Sequence, residues 1–190
     1  MERKEAGEAI EVEISDTQGH LRVAPEELRD LVRTVLTAEG RTRSSISIAL
    51  VDQAAIHAIN RSHLGHDWPT DVISFPLSEP TDPTLVGELV VSAEMAASTA
   101  AEIGVDPRDE LALYVVHGLL HLCGYDDLSE SEANAMRRRE NELLIACRRR
   151  NPFDLVRDSR PRPRSREESA IDAGVSSPMI QPSESPPWSR

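Results

Sequence analysis

Apolar and polar positions along the first 150 residues follow strand and helix periodicities in turn. Residues 9–15 (AIEVEIS) alternate apolar and acidic side chains, which is typical of a half-exposed β-strand. Three β-branched or apolar runs predict further strands at residues 45–51, 71–77 and 86–92. Apolar residues with helical spacing, bounded by capping residues or glycine, predict helices at residues 25–39, 53–64, 92–104, 107–122 and 129–149.

The order of these elements is therefore β-α-β-α-β-β-α-α-α. A short connection rich in Pro and Asp joins the third and fourth strands, which predicts a hairpin. Because strands and helices are intermixed, the pattern predicts an α/β (α+β) fold. Its expected architecture is a four-stranded mixed sheet packed against about five helices.

The composition changes at residue 151. The whole chain of 190 residues is 39% hydrophobic, but residues 151–190 are rich in Pro, Ser and Arg and have no periodic apolar face. Such a segment buries too little apolar surface to offset the loss of chain entropy on folding. We therefore expect a folded domain at residues 8–150 and a disordered tail at residues 151–190.

The net charge of −12 lies entirely on residues 1–150, because the six arginines of the tail balance its six acids. An acidic body argues against broad, nonspecific duplex binding, which depends on neutralising phosphates, so no DNA partner is expected. Two compact clusters, Arg137–Arg139 and Arg148–Arg150, leave room for a local basic groove. Solvated helix faces are the simpler interpretation of both clusters.

The cellular setting is predicted from what the sequence lacks. The charged N-terminus (MERKEAGEAIEVEIS) has no apolar segment typical of a signal peptide, and no apolar run reaches the ~18 residues of a membrane span. The two cysteines, Cys123 and Cys147, are 24 positions apart and form no metal-binding pair motif. These features predict a cytoplasmic protein with no membrane partner.

The candidate chemistry lies in HGLLHLCGYDD, residues 117–127. The helix predicted over residues 107–122 has almost no polar face and belongs to the core. His117 and His121 are one helical turn apart, about 40° in azimuth, so their imidazoles can converge. Gly124 ends the helix and turns the chain back, which brings Asp126 or Asp127 toward the histidines.

The spacing His-x₃-His-x₂-Gly-x₂-Asp reproduces the layout of a metzincin zinc site, with Asp127 at the position of the third ligand. Two ligands on a rigid helix and one after a turn leave a fourth position for water. The glutamate that serves as the general base of those proteases is replaced by Gly118, so such a protease is not expected. The alternative is a pair of core histidines followed by a polar turn, but two histidines one turn apart followed by Gly-Tyr-Asp-Asp favour a metal.

Three segments of the chain resemble the YbeY family of bacterial endoribonucleases, also called ribosomal RNA maturation factors. Residues 117–126 (HGLLHLCGYD) follow the family motif His-Gly-x-Leu-His-Leu-x-Gly-Tyr-Asp-His. Residues 67–76 (DWPTDVISFP) and residues 86–92 (VGELVVS) are similar to two further family segments. The likeness covers about residues 10–148 and omits the tail.

The resemblance implies a metal-dependent endoribonuclease, a hydrolase that cuts single-stranded RNA. It also implies a role in maturation of small-subunit ribosomal RNA and in ribosome quality control, with the small subunit as partner. By position it implies metal binding at His117 and His121, and the family's third histidine falls on Asp127. We expect these three residues to hold one Zn²⁺ per chain. The carboxylate is a competent ligand, but its charge is expected to make a bound water less acidic than three imidazoles would.

A second departure from the family concerns a residue pair, Tyr-Arg, where this chain has His63-Leu64. Arg61, His63 and His66 are candidate replacements for that arginine, although solvent-facing loop positions are the simpler interpretation. The catalytic base is not predicted. Asp126 is nearest in sequence, and Asp71 is a second candidate. The alternative function is a noncatalytic ribosome-assembly factor in which the metal is structural.

Overall fold

The computed structural model describes residues 9–150. Its strands are β1 (Ala9–Asp16), β2 (Arg43–Val51), β3 (Val72–Pro76) and β4 (Leu85–Ser92). Its helices are α1 (Pro25–Ala38), α2 (Gln53–Ile59), α3 (Ala93–Ile103), α4 (Pro107–Leu122) and α5 (Glu130–Arg150), and a π-helical turn (Asn60–Leu64) extends α2. The predicted order of elements is confirmed. The proposed tail at residues 151–190 lies outside the described residues, so it stays a prediction, as does the domain boundary.

The four strands form one mixed sheet in the order β1-β2-β4-β3. Strands β1, β2 and β4 are parallel, and β3 runs antiparallel to β4, with Val72 opposite Val91 and Pro76 opposite Gly87. The α/β fold class and the hairpin between β3 and β4 are therefore confirmed. No helix within residues 9–150 has the length and apolar character needed to cross a membrane.

The two faces of the sheet carry cores of different size. The larger core joins alternate residues of β2 and β4 to apolar residues of α1, α4 and α5. The smaller core, built on Val51, Ile56, Ile73 and Val90, lies on the other face beneath α2. Because side chains alternate between faces along a strand, Leu89 and Val91 point into the large core while Val90 points into the small one.

Helix α4 lies within the large core and carries both histidines. Its first turn is fixed by Asp106, whose carboxylate accepts a hydrogen bond from the Arg108 N–H at 2.9 Å, and by Pro107 at the first helical position. At its other end, a Cβ added to Gly118 would lie 2.9 Å from side-chain carbons of both Leu89 and Val72. The missing side chain at position 118 therefore lets α4 lie close against β3 and β4, with His117 beside this contact.

Candidate metal centre

The two histidines of α4 converge as their spacing predicts. The Nε2 atoms of His117 and His121 are 3.1 Å apart, and the rings meet edge to face with centroids 4.7 Å apart. The side chain of His117 is 12% exposed and that of His121 is 29% exposed. The pair therefore lies at the boundary between the core and solvent.

The other nitrogen of each ring has a hydrogen-bond acceptor. The Nδ1 atom of His121 lies 3.1 Å from the carbonyl oxygen of Tyr125, which can only accept, so Nδ1 carries the proton. The Nδ1 atom of His117 lies 2.7 Å from Oε1 of Glu140, a buried carboxylate on α5. In their neutral forms the two rings then present an unprotonated Nε2 to each other, which is the arrangement that orients histidine ligands toward a metal.

Two nitrogen lone pairs that face each other at 3.1 Å repel unless a cation lies beside them. Two ligand atoms on one tetrahedral zinc ion are about 3.3 Å apart, given Zn–N bonds of about 2.0–2.1 Å. The separation of the two Nε2 atoms is close to that value. For two neutral imidazoles with these Nδ1 partners, the geometry therefore fits a metal ion better than a hydrogen bond within the core.

The carboxylate of Asp127 completes a group of three possible ligands. Its oxygens lie 3.9 Å from Nε2 of His117 and 4.0 Å from Nε2 of His121, and the three ligand atoms lie within 4.8 Å of one another. The side chain is 46% exposed. A carboxylate with that freedom can change its rotamer and bring an oxygen closer to the two nitrogens. The residues present thus fit a His₂-carboxylate zinc site.

The turn that delivers Asp127 has two identifiable constraints. Gly124 has a φ of +98°, a backbone conformation that disfavours residues with a side chain. The carboxylate of Asp126 accepts a hydrogen bond from the Asp127 N–H at 2.8 Å. Asp126 is therefore used within the turn, and it does not join the group of candidate ligands.

The missing glutamate of the protease motif now has a physical explanation. Position 118 faces β3 and β4 rather than the metal cluster, and the Gly118 carbonyl accepts a hydrogen bond from the Ser74 hydroxyl at 3.1 Å. A glutamate there would clash with the sheet and bury its charge.

The second candidate base, Asp71, accepts hydrogen bonds from the Val72 N–H at 2.9 Å and the Thr70 hydroxyl at 3.2 Å.

A network behind the return turn links it to two helices. The Tyr125 hydroxyl donates to Oε2 of Glu39 at 3.2 Å, and Arg139 Nε donates to Oε1 of the same carboxylate at 2.7 Å. Arg139 also binds Glu142 at 2.7 Å. Hydrogen bonds to these two carboxylates raise the pKa of Arg139, and burial beside Glu39 raises the pKa of Tyr125. The turn between the ligands is therefore anchored to α1 and α5.

Sequence reasoning missed Glu140 and Glu39. Glu140 follows Met136 by four positions and precedes Leu143 and Leu144, and all four are buried on one stripe of α5. An acid within an apolar helical stripe was the signal that could have identified Glu140. Glu39 lies at the end of α1, and no periodicity marks it, because its partners are distant along the chain.

Other singled-out residues lie outside the metal cluster. Cys123 packs partly buried against the large core, and burial raises the pKa of its thiol to about 11, which suits packing rather than ligation. Arg139 is engaged by Glu39 and Glu142, and Arg137 donates to the Asn134 side chain at 2.8 Å. Arg61 is exposed on the π-helical turn. The arginine cluster of α5 is therefore partly structural.

Comparison with known proteins gives a consistent result. Residues 13–148 match the family described as Endoribonuclease YbeY. A protein of Rhodopirellula baltica named Endoribonuclease YbeY is 42% identical over 156 residues, which cover 81% of this chain and 80% of that protein. A protein of Carboxydothermus hydrogenoformans with the same name is 44% identical over 115 residues, covering 60% of this chain and 80% of the relative.

A solved structure supports the fold. The solution structure of TM1509 from Thermotoga maritima superposes with a TM-score of 0.55 and 25% sequence identity. The superposition covers 79% of this chain and 99% of that one. The matched range of residues 13–148 includes α4, the return turn and α5, so it contains every residue of the candidate metal centre.

Proposed function

Because the chain belongs to the Endoribonuclease YbeY family, we propose that it is a metal-dependent endoribonuclease that cuts single-stranded RNA. Its proposed substrate is precursor ribosomal RNA, and its proposed roles are maturation of the small subunit and ribosome quality control in the cytoplasm. The small ribosomal subunit is then the expected partner.

The observation that carries this proposal is the convergence of His117, His121 and Asp127 with both Nδ1 atoms already engaged. We assign one Zn²⁺ per chain to these three residues. Two imidazoles and one carboxylate match the ligand preference of zinc in hydrolytic sites and leave a fourth position open. A closed structural site would instead have four protein ligands, and the group contains three within residues 9–150.

When bound, zinc supplies Lewis-acid chemistry, which polarises a phosphodiester oxygen and lowers the pKa of a water molecule. The side chains of the protein hold this arrangement in place. Glu140 accepts the Nδ1 proton of His117, and the Tyr125 carbonyl accepts that of His121, so both rings keep one tautomer and one orientation. Asp127 forms the solvent-facing side of the site, where a phosphate group of RNA can approach.

RNA cleavage by the purified protein tests the proposal. We expect a labelled single-stranded RNA to be cut by the wild type, and cutting to stop after treatment with a chelator and in His117→Ala. The matched control is His20→Ala, which removes an exposed histidine of the β1–α1 connection that lies beside Glu94. Cleavage that survives both the chelator and His117→Ala would refute the assignment of a metal enzyme.

Metal analysis of untreated protein separates the catalytic role from a structural one. We expect about one zinc per chain in the wild type and in His20→Ala, and none in His117→Ala. A protein that contains zinc, melts at a lower temperature after chelation and cuts no RNA would instead be a ribosome-assembly factor with a structural metal. That outcome would remove the nuclease assignment and leave the metal site intact.

A further inference from the structure

A stacked pair of rings lies on the loop between α2 and β3. The rings of His66 and Trp68 are nearly parallel, with an interplanar angle of 15° and centroids 4.5 Å apart. Both residues are exposed, and Trp68 is 42% accessible to solvent. A substantial part of the indole surface is therefore accessible to a ligand.

The pair is held in place through the backbone of its loop. Asn60, which is 2% exposed, donates from Nδ2 to the carbonyl oxygen of Trp68 at 2.7 Å. Asp67, which lies between His66 and Trp68 in the sequence, pairs through its side chain with His57 at 3.0 Å. Because these contacts use the main chain of Trp68 and the side chain of Asp67, they leave the indole and imidazole rings available to a ligand.

The pair is also near the candidate metal centre along the chain. Strand β3 begins at Val72, four residues after Trp68, a distance of roughly 14 Å at most for extended chain. Val72 and Ser74 contact α4 at Gly118, the residue that follows His117. The loop that carries the rings therefore leads directly into the strand that packs against the helix of the two histidines.

Arg61 provides a positive charge close to the two rings in the sequence. Arg61 follows Asn60, whose side chain holds Trp68, and Arg61 has no ion-pair partner within residues 9–150. The nearest acid in sequence, Asp67, lies 3.0 Å from His57 instead. An exposed guanidinium on the π-helical turn that leads into this loop is suited to contact the phosphate that follows a stacked base.

We propose that His66 and Trp68, together with Arg61, form a nucleotide-binding site for an unpaired base of single-stranded RNA. The inference rests on the proposed function and names how this chain holds its substrate beside the metal centre. The two rings extend the stack of the RNA by accepting a base on an outer ring face, and Arg61 contacts the backbone. Stacking requires an exposed base face, so the site selects single strands over duplexes.

Tryptophan fluorescence tests the site directly. The chain has two tryptophans, so Trp188→Phe leaves Trp68 as the sole reporter. A ten-nucleotide oligoadenosine with 2′-O-methyl groups serves as probe, because it is a single strand chosen to resist hydrolysis. We expect it to quench Trp68, and we expect the same sequence in a duplex to quench it weakly. Absence of quenching by the single strand, or equal quenching by the duplex, would overturn the proposal.

Fluorescence anisotropy of a labelled RNA gives an independent test, because it measures the affinity of variants at the rings and at Arg61. Trp68→Ala is expected to weaken binding about tenfold, which corresponds to one stacked base, while Trp68→Phe keeps most of the affinity. Arg61→Gln is expected to lower the slope of log affinity against log salt by about one. The control Leu77→Ala removes another exposed apolar residue and should change neither. Circular dichroism establishes that each variant is folded.

The outcomes separate this inference from the proposed function. Binding that is lost in Trp68→Ala while the wild type fails to cut RNA would support the nucleotide site and refute the nuclease. Cleavage by the wild type with unchanged affinity in Trp68→Ala would support the nuclease and overturn the nucleotide site.

Discussion

The candidate metal centre has two unlike halves, one on a core helix and one on a surface turn. His117 and His121 belong to α4, whose neighbouring residues are almost all buried, and each ring has a fixed Nδ1 partner. Asp127 follows a glycine-led turn, and its side chain is 46% exposed. The positions of the two histidines are fixed by the packing of α4, whereas the position of Asp127 depends on the short turn and on the contacts that anchor it.

The two halves are expected to contribute differently to metal binding. A preorganised pair of ligands loses little conformational entropy when an ion binds, whereas an exposed carboxylate must be ordered at that moment. The helix half should therefore determine whether the site binds zinc at all, and the turn half should adjust how tightly it does. Four predictions test this division.

The largest effect is expected from removing a ligand of the helix half. His117→Ala should abolish tight zinc binding, because one imidazole is lost and Glu140 is left with its buried carboxylate unpaired. Asp127→Ala should retain bound zinc at reduced affinity, since both histidines remain. Competition titration with a chromophoric chelator measures both. Equal zinc affinity in Asp127→Ala and the wild type would show that Asp127 is not a ligand.

The next effect concerns the support of His117. Glu140→Gln keeps the size of the side chain and removes its charge, so the His117 ring should be less firmly held and a weaker ligand. A loss of about 10–100-fold in zinc affinity is expected, as for other groups that orient metal-bound histidines. The matched control is Glu130→Gln, an exposed acid in the first turn of the same helix. Equal losses in the two variants would contradict a specific role for Glu140.

Each half of the site contains a glycine whose substitution should lower the free energy of unfolding, for a different reason in each half. Gly118→Ala forces a methyl group against Leu89 and Val72, so overpacking of about 1–3 kcal/mol should exceed the helix-propensity gain of about 1 kcal/mol. Gly124→Ala meets no atom within 4 Å but strains a φ of +98°, at a cost of about 1–2 kcal/mol. Denaturant unfolding measures both free energies.

The two glycine variants are also expected to differ in their affinity for zinc. Gly118→Ala should lower stability with little change in zinc affinity, because the histidines stay on an intact helix. Gly124→Ala should weaken zinc binding as well, because it displaces the turn that carries Asp127. If the zinc affinities of the two variants fall together, the halves are not independent.

The smallest effect is expected at the start of α4. Asp106→Ala removes the cap of the helix that carries both histidines and should cost about 1 kcal/mol of unfolding free energy, while Asp106→Asn costs less. Hydrogen bonds from Arg108 lower the pKa of Asp106 from 3.8. The stabilisation is therefore present above pH 3.8 and is lost as the pH falls through the lowered value. Wild-type and Asp106→Ala unfolding curves should converge in that acid range.

Most of the fold could be predicted from the sequence because its signals are local. The strand alternation of β1, the cap at Asp106 and the stop at Gly124 each depend on a few neighbouring residues. The mixed sheet followed from the order of elements and the short β3–β4 connection. The parallel pairing of β2 with β4 could not be derived, since it depends on how α2 and β3 return the chain to the sheet.

The candidate site could likewise be predicted only where its signals are local. The convergence of His117 and His121 follows from helical geometry alone, so four residues of spacing were enough. The contacts of Glu140 with His117 and of Glu39 with Tyr125 depend on how α1, α4 and α5 pack, which no local pattern encodes. The separate use of Asp126 within the turn also required its hydrogen bond to the Asp127 N–H.

The long-range contacts that anchor the return turn predict that the metal centre forms late in folding. Glu39 and Arg139 are 100 positions apart in sequence, and Tyr125 is 86 positions from Glu39, so the network closes only when the ends of the domain have met. A nascent chain that lacks α5 has the two histidines but neither Glu140 nor Arg139. Tight metal uptake would then report that the whole domain is assembled, and mass action by the ion would favour the completed fold over partly folded chains.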